Sequence, residues 1–484
     1  MKIKRLSVFC LLLLLIINCK SQSSNNPKME GFDQTVKTVI EDQEGNYFMV
    51  GQNYDNINSV SYGKIIKLDQ NGNVLNNISY GNEDENTIFF NILEKQDTLY
   101  LLGFASSNNL NCLLFVKMNS ELEVINDIKY PFPSHLFLQQ MNSFIDSENH
   151  IVITGYNRNY NYDYNIDPFY YKLSLFGDSI TSKFQDLGEN YIEFSYHIME
   201  SLDSIYYFVS MQGYYNGTLK SLMVLDKNFN EISYHSFSFN SYSLRGFLSF
   251  CNINDSTIAI CGTMMGDDYL HLITIDQMFM EQLHLTFFKT PLMSENPAFH
   301  NGLSKNNNHI YLGGTSNITL NNPYYSSADS WFHLVKFDET MNPLWEKWYG
   351  GDAYYLLYSV LATSDNGCLM IGTKFEHGLI VPERVAHFIK VDANGNVQWT
   401  QDIEMPELSY KVYPNPTQSV FNIENSEFKI QSIELYDISG RYLKSIQDCN
   451  NSTISIDLTP FSNGIYFAKI KSTKGVRTEK VVKN

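Results

Sequence analysis

Residues 39–51 read VIEDQEGNYFMVG: an apolar run, a turn rich in Asp, Gly and Asn, then a second apolar run closed by glycine. The pattern recurs at 92–103 (ILEKQDTLYLLG), 144–155 (FIDSENHIVITG), 199–210 (MESLDSIYYFVS), 253–262 (INDSTIAICG), 304–314 (SKNNNHIYLGG) and 362–372 (ATSDNGCLMIG). The closing positions are Gly51, Gly103, Gly155, Ser210, Gly262, Gly313 and Gly372, spaced by 52, 52, 55, 52, 51 and 59 residues. Two short apolar runs around a tight polar turn make a hairpin. A near-constant period of this length marks a repeat architecture.

A second hairpin completes each unit: KIIKLDQNGNV, LLFVKMNSELEV, FYYKLSLFGDSI, LMVLDKNFNEI, LITIDQMFMEQ, LVKFDETMNPLW and FIKVDANGNVQW. They put Asp69, Asn119, Ser174, Asp226, Asp276, Asp338 and Asp392 at equivalent turns, where short polar side chains bond the local backbone. Four short strands per unit is the pattern of a propeller blade. No segment holds a sustained 3.6-residue period, which excludes a helical solenoid. The chain is therefore predicted to be all-β, with a seven-bladed propeller over 31–404. Strands a to d run outward from the axis, and blade one packs on blade seven without exchanging a strand. Val50, Leu102, Ile153, Val209, Ile260, Leu312 and Ile371 are expected to be buried between blades. The Asp-x-x-Gly-Asn turns and the closing Trp345 and Trp399 resemble the repeats of secreted bacterial β-propeller-repeat proteins, a likeness of architecture that names no activity.

After Met405 the repeat loses phase. Residues 405–411 read as a linker. There follow Val412-Tyr413-Pro414-Asn415-Pro416, Phe421-Asn422-Ile423, the run Ile433 to Arg441 with its Ser439-Gly440 turn, Ile456-Asp457-Leu458, Gly464-Ile465-Tyr466-Phe467 and Glu479 to Lys483. Proline fixes φ and stops pairing with the previous sheet. The alternation after it is that of half-buried strands. Together, residues 412–484 resemble the type A C-terminal sorting domain of type IX secretion cargo. The motif residues are Tyr413, Pro414, Asn415, Pro416, Gly440, Arg441, Gly464, Tyr466 and Lys480. The resemblance implies a small Ig-like β-sandwich recognised by the outer-membrane translocon. Such tails are usually removed on export, with the mature part released or attached to surface polysaccharide. Read from its residues alone, the tail is also compatible with an Ig-like accessory binding module.

The N-terminus agrees with export. Lys2, Lys4 and Arg5 precede a twelve-residue apolar core, Leu6 to Ile17, which fits a signal peptide over 1–21 and is too short for a stable span. Cleavage after Ser21 competes with a lipobox reading in which Cys19 anchors an outer-membrane lipoprotein. Asn18 is larger than the residues usual before a lipidated cysteine, which favours ordinary cleavage. Outside the signal lie Cys112, Cys251, Cys261, Cys368 and Cys449, an odd number without a CxxC. Cys251 and Cys261 sit on neighbouring strands of one predicted hairpin, as a bridge or as small buried hydrophobes.

Of the net charge of −18, the tail contributes +2 and the signal +4, leaving −24 on the propeller. That surface repels phosphate backbones, so nucleic acid is excluded as a partner. The charge suits solubility first and a cationic ligand second. Asp69-x-Asn71-Gly72-Asn73 and Asp392-x-Asn394-Gly395-Asn396 resemble the start of calcium loops, but no bidentate Glu follows, and turn chemistry is the simpler reading. Thr363-Ser364-Asp365-Asn366-Gly367 is a partial Asp-box without its aromatic end. Arg158, Arg245 and Arg384, the propeller's arginines, read as surface loop residues. His271 and His284 flank one hairpin as partly buried strand residues, and no HxH or HExxH supports a zinc site. No GxSxG, Walker A or dinucleotide motif is present. Asp97-Thr98-Leu99, Asp178-Ser179-Ile180, Asp203-Ser204-Ile205 and Asp255-Ser256-Thr257 resemble bacterial O-glycosylation acceptors and equally fit turn chemistry.

Two functions follow. The first is an exported non-enzymatic propeller that uses the loops of one face to bind a polysaccharide, a peptide or a surface partner. No catalytic, cofactor or metal residue is assigned to it. The second is a secreted glycoside hydrolase, which needs two carboxylates about 5–9.5 Å apart. A cluster of buried carboxylates with raised pKa in the axial mouth discriminates between them.

Overall fold

The computed structural model describes residues 32–484 apart from 56–58, 108–109, 133–135, 160–164, 185–192, 216–217, 236–237, 240–241, 265–268, 277–281, 289–293, 320–325, 327, 377–383, 404–410, 425–429, 439–440, 448–452 and 473–474. The readings made for the signal peptide, Cys19, Cys449 and Gly440 fall outside these residues. The chain divides into two compact units, 1–403 and 404–484.

Unit one is seven antiparallel sheets in chain order, each with its strands in the order a-b-c-d. In blade 1 these are Phe32–Glu41, Tyr47–Asp55, Val60–Leu68 and Val74–Tyr80. The a strands of blades 2 to 5 are Asn86–Lys95, Leu136–Ile145, Glu193–Glu200 and Tyr242–Asn252. Blade 5 gains a two-residue strand, Ser238–Phe239. In blade 6 strand a is split into Glu295–Pro297 and Leu303–Asn306, and in blade 7 it is Tyr354–Ala362.

The b strands are apolar on both faces because each blade is sandwiched between two others. Phe48 and Val50 pack with Phe89, Leu101 and Leu114 of blade 2. Tyr47 and Met49, pointing the other way, pack with Leu369, Ile371 and Phe388 of blade 7. That second cluster closes the ring, as expected, without strand exchange. All seven residues expected between blades are buried, at 0–1% exposure.

The closing glycines have a steric cause. Strand a carries a bulge opposite them, at Lys37 in blade 1 and Tyr358 in blade 7. A Cβ at Gly51 would collide with the Thr35 carbonyl oxygen, and one at Gly372 with that of Leu356. The structure corrects one member of the series. In blade 6 the position crowding a strand a carbonyl is Gly314, against Asn296, and not Gly313, which abuts Val360 and Leu357.

The c–d turns are Asx turns. Asp69 Oδ1 accepts from Asn71 N at 2.9 Å and Asn73 N at 2.8 Å. Asn119, Ser174, Asp226, Asp338 and Asp392 repeat this geometry. The turn after Asp276 lies outside the described residues. Strand d of one blade covers the turn of the next. Trp345 Nε1 donates to Ala393 O and Trp399 Nε1 to Gln70 O, both at 3.1 Å.

Unit two is an Ig-like sandwich of two sheets. One contains Lys411–Tyr413, Val420–Glu424 and Thr453–Asp457. The other is Tyr442–Gln447, Ile430–Asp437, Gly464–Ser472 and Gly475–Lys483 in spatial order. Phe421, Ile423, Ile433, Leu435, Ile456 and Val481 fill the space between them.

Candidate functional site

Strand c of blades 5, 6 and 7 holds a histidine opposite the closing glycine: His271 on Gly262, His333 on Gly314 and His387 on Gly372. All three are buried. His333 is the centre of a charged cluster. Its Nδ1 lies 2.9 Å from Glu295 Oε2 and its Nε2 2.8 Å from Glu346 Oε1. Ser316 Oγ donates to the Glu295 carboxylate at 2.7 Å and receives Trp348 Nε1 at 3.0 Å. The Trp348 ring stacks on the imidazole at 4.9 Å. Burial pushes the His333 pKa down, but the bonds to the two glutamates outweigh it and hold the pKa above its ordinary value. Both carboxylates thus spend their charge on one imidazolium. In blade 7, His387 Nδ1 bonds Asp402, and Lys374 pairs with Glu376 at 2.8 Å.

Arg384 is not a surface loop residue. It starts strand c of blade 7, is 6% exposed, and forms a fork on Asp33 of blade 1 with bonds of 2.7 and 2.6 Å. The ring junction therefore contains a buried ion pair. Arg158 and Arg245 also lie on strands, and their side chains and that of His284 fall outside the described residues.

Among the described residues, one group could gather three metal-ligating atoms: Asp146, Glu148 and His150, within 4.8 Å of one another. Its repeat equivalent explains it. In blade 1, Asn46 Nδ2 bonds Asp42 Oδ2 at 2.9 Å and Glu44 Oε2 at 3.3 Å. His150 stands at that position, its Nδ1 3.5 Å from Asp146 and 3.4 Å from Glu148 without a hydrogen bond. Its backbone N–H bonds Asp146 Oδ1 at 2.8 Å and closes the a–b turn.

The remaining motifs resolve into turns as well. Asp69 and Asp392, read against calcium loops, have their oxygens occupied by Asn N–H groups. The Asp-box fragment is the a–b turn of blade 7, where Asp365 accepts from Thr363, Gly367 N and Lys390. Its neighbour Ser364 donates N and Oγ to Glu41, each at 2.7 Å. Glu41, Ser364 and Asp365 rim a groove of about 480 Å³ between blades 7 and 1, with Tyr47, Gln70, Gln398 and Trp399. Ser204 and Ser256 lie within a–b turns, Thr98 follows one directly, and Ser179 follows a c–d turn. Cys251 and Cys261 are free thiols pushed up to about 12 by burial, so the bridge reading is set aside for that of small buried hydrophobes.

The tail motif is held by its own backbone. Asn415 Nδ2 donates to Lys480 O at 2.7 Å, and its Oδ1 receives Val482 N at 2.9 Å. The segment Tyr413 to Pro416, with both prolines cis, is thereby stitched to the last strand. Arg441 folds back on Asp437 at 3.0 Å. Tyr466 is buried and its hydroxyl donates to Ser462 O. Lys480 is exposed. Gly464 has nothing within 4 Å of a Cβ position and no positive φ, so its backbone does not require glycine.

Sequence reasoning singled out His271 but missed its repeat equivalents His333 and His387, which were in register all along. His271, His333 and His387 each stand five residues before the turn residue Asp276, Asp338 or Asp392. Counting forward from the closing glycines hides this, because the b–c loops differ in length.

Residues 411–484 match the family model described as a secretion system C-terminal sorting domain. No curated protein matches the chain at significant similarity. Among solved structures, the chain is similar to the Dos1 propeller at 10% identity, over 82% of this chain and 91% of that one, with a TM-score of 0.38. It is similar to an oligogalacturonate lyase in complex with manganese at 12% identity, over 73% and 97%, with a TM-score of 0.39. Prolyl oligopeptidase B from Galerina marginata is similar at 9% identity, over 83% of this chain and 57% of that one, with a TM-score of 0.44. No activity is read from likenesses this distant. The sheets of unit one form a seven-bladed β-propeller, and residues 411–484 match the secretion system C-terminal sorting domain family.

Proposed function

We propose that the protein is an exported, non-enzymatic binding propeller, delivered by type IX secretion to the medium or the cell surface. In this reading residues 1–21 are a cleaved signal, 405–411 a linker and the tail the export address. The observation that carries it is the sorting domain, whose YPNP entry is tied to the last strand through Asn415. The binding role draws on the face formed by b–c loops and d–a connections, with a glycan, peptide or surface partner as its ligand.

The carboxylate chemistry supports binding over glycoside hydrolysis. A glycosidase acid needs a raised pKa. Among the described residues, the displaced carboxylates, such as Asp352, Asp365 and Asp402, are all displaced downward. Glu295 and Glu346 share the His333 imidazolium.

Localisation tests the export reading. In a host with the type IX translocon, the full chain should reach the surface or medium, while a chain lacking 411–484 should fold and stay in the periplasm. Surface delivery of the truncated chain, or of the full chain without the translocon, would falsify the sorting role. A glycan and peptide panel tests the other half. Binding without turnover is expected, and turnover abolished by one Asp or Glu substitution in the axial mouth would establish the hydrolase instead.

A further inference from the structure

The strands around the axis carry basic groups in a propeller that is otherwise strongly acidic. Lys37 is the bulged residue of blade 1, Phe90 that of blade 2 and Tyr358 that of blade 7. The three meet: Lys37 Nζ lies 4.8 Å from the Phe90 ring centre and 5.6 Å from that of Tyr358. Tyr358 O accepts His300 N of blade 6 at 2.8 Å. Gln140 of blade 3 reaches Phe299 O of blade 6 at 3.3 Å. His197 enters from blade 4, its ring 5.6 Å from Phe250 of blade 5. Blades 1, 2 and 7 thus meet at Lys37, blade 6 joins them through His300, blade 3 reaches blade 6 through Gln140, and His197 of blade 4 lies near enough for its charge to act on His300.

The polar atoms there lack partners. Among the described residues, no carboxylate pairs with Lys37, whose ammonium lies over the two rings. His197 Nδ1 and His300 Nε2 are buried without a hydrogen bond. His300 is 6% exposed, whereas Lys37 and His197 keep part of their surface accessible. Two buried, unsatisfied imidazole nitrogens near an ammonium that has no carboxylate partner among the described residues are costly unless something completes them. The sequence supplies no such acid. The central a strand residues 34–39, 87–91, 138–143, 194–198, 244–249, 296–302 and 356–359 contain no Asp or Glu. Asp33, at the end of the axis, is already forked by Arg384.

We propose that the axis of the propeller is a binding site for a small carboxylate monoanion, held by Lys37 with His197 and His300 as hydrogen-bond donors. Burial and the nearby Arg384 bring Lys37 down to about 8. Burial holds His197 at about 4, and burial with the charges of Lys37 and His197 holds His300 at about 3. At neutral pH these three side chains therefore supply one positive charge and two neutral N–H donors. That balance matches a monoanion and leaves a phosphate dianion half uncompensated. The site does not rest on the export reading.

Acetate is the probe. Titrated calorimetrically into the full chain at pH 8, in two buffers of different ionisation enthalpy, it should bind saturably and take up protons as Lys37 becomes fully charged. Lys37→Met should weaken binding by at least about tenfold, the loss of one charge-assisted contact. Lys64→Met, at a buried lysine of strand c in blade 1, should leave it intact. Absence of saturable binding, equal binding by Lys37→Met, or binding of phosphate in preference to acetate overturns the proposal. Should Lys37→Met not fold, the Lys37 side-chain nitrogen can be followed by NMR in the unaltered protein. Acetate should raise its pKa, and an unchanged pKa refutes the site.

Discussion

His333 and His300 answer protons with opposite signs. The bonds to Glu295 and Glu346 lift His333 above its ordinary 6.5, so the charged form is the folded one. Its stabilisation is complete below 6.5 and is lost as pH rises through the lifted value. Burial depresses His300 to about 3, so the neutral form is the folded one. Its contribution is present above 6.5 and is lost as pH falls from 6.5 toward 3. Melting curves across pH should show this division. His333→Gln should flatten the alkaline decline, and His300→Gln the acid one. A His333→Gln profile parallel to that of the parent protein would mean the cluster adds nothing to stability.

At the scale of the strand, glycines that look alike in sequence separate by their surroundings. Gly51→Ala drives a Cβ into the Thr35 carbonyl and should cost about 1–3 kcal/mol as overpacking does. Gly464→Ala meets open space and should stay within about 0.5 kcal/mol. Chemical denaturation of the two variants checks the contrast, and equal losses would contradict it. The same crowding explains what could be read beforehand. A carbonyl opposite a bulge forbids a side chain, so the repeat wrote itself into the sequence as a spaced glycine. In blade 6 two adjacent glycines left the choice open, and only the split strand a selects Gly314. The charged clusters were illegible for another reason. Glu295, His333 and Glu346 come from three strands separated by loops of irregular length, and only pairing in register joins them. A second regularity was legible and went unread. Lys67, Lys172 and Lys336 stand two residues before the turn position, and each donates to a carbonyl in the c–d turn of the next blade, at 3.0, 2.9 and 2.8 Å.

For the whole molecule, the junction between the first and last blades decides the ring. It joins an apolar cluster, the Trp399 bond to Gln70 O, the Ser364 bonds to Glu41 and the Arg384–Asp33 fork. Arg384→Met removes the guanidinium fork from the buried Asp33 carboxylate and should cost about 3–5 kcal/mol. Arg384→Met with Asp33→Leu should recover most of that loss in a urea titration. A double variant as unstable as the single one would place the value of the pair in its geometry and not in its charge.

The order of parts along the chain has one more consequence. The junction needs residues 384–403, and the export address at 411–484 is made only after them. A chain cut short anywhere in the propeller is an open ring with an uncovered apolar flank, and it also lacks the address. Every chain that can present the tail already contains all seven blades. On the proposed export reading, completeness of synthesis is thus a precondition of departure, and chains with an uncovered apolar flank are the ones that lack the address.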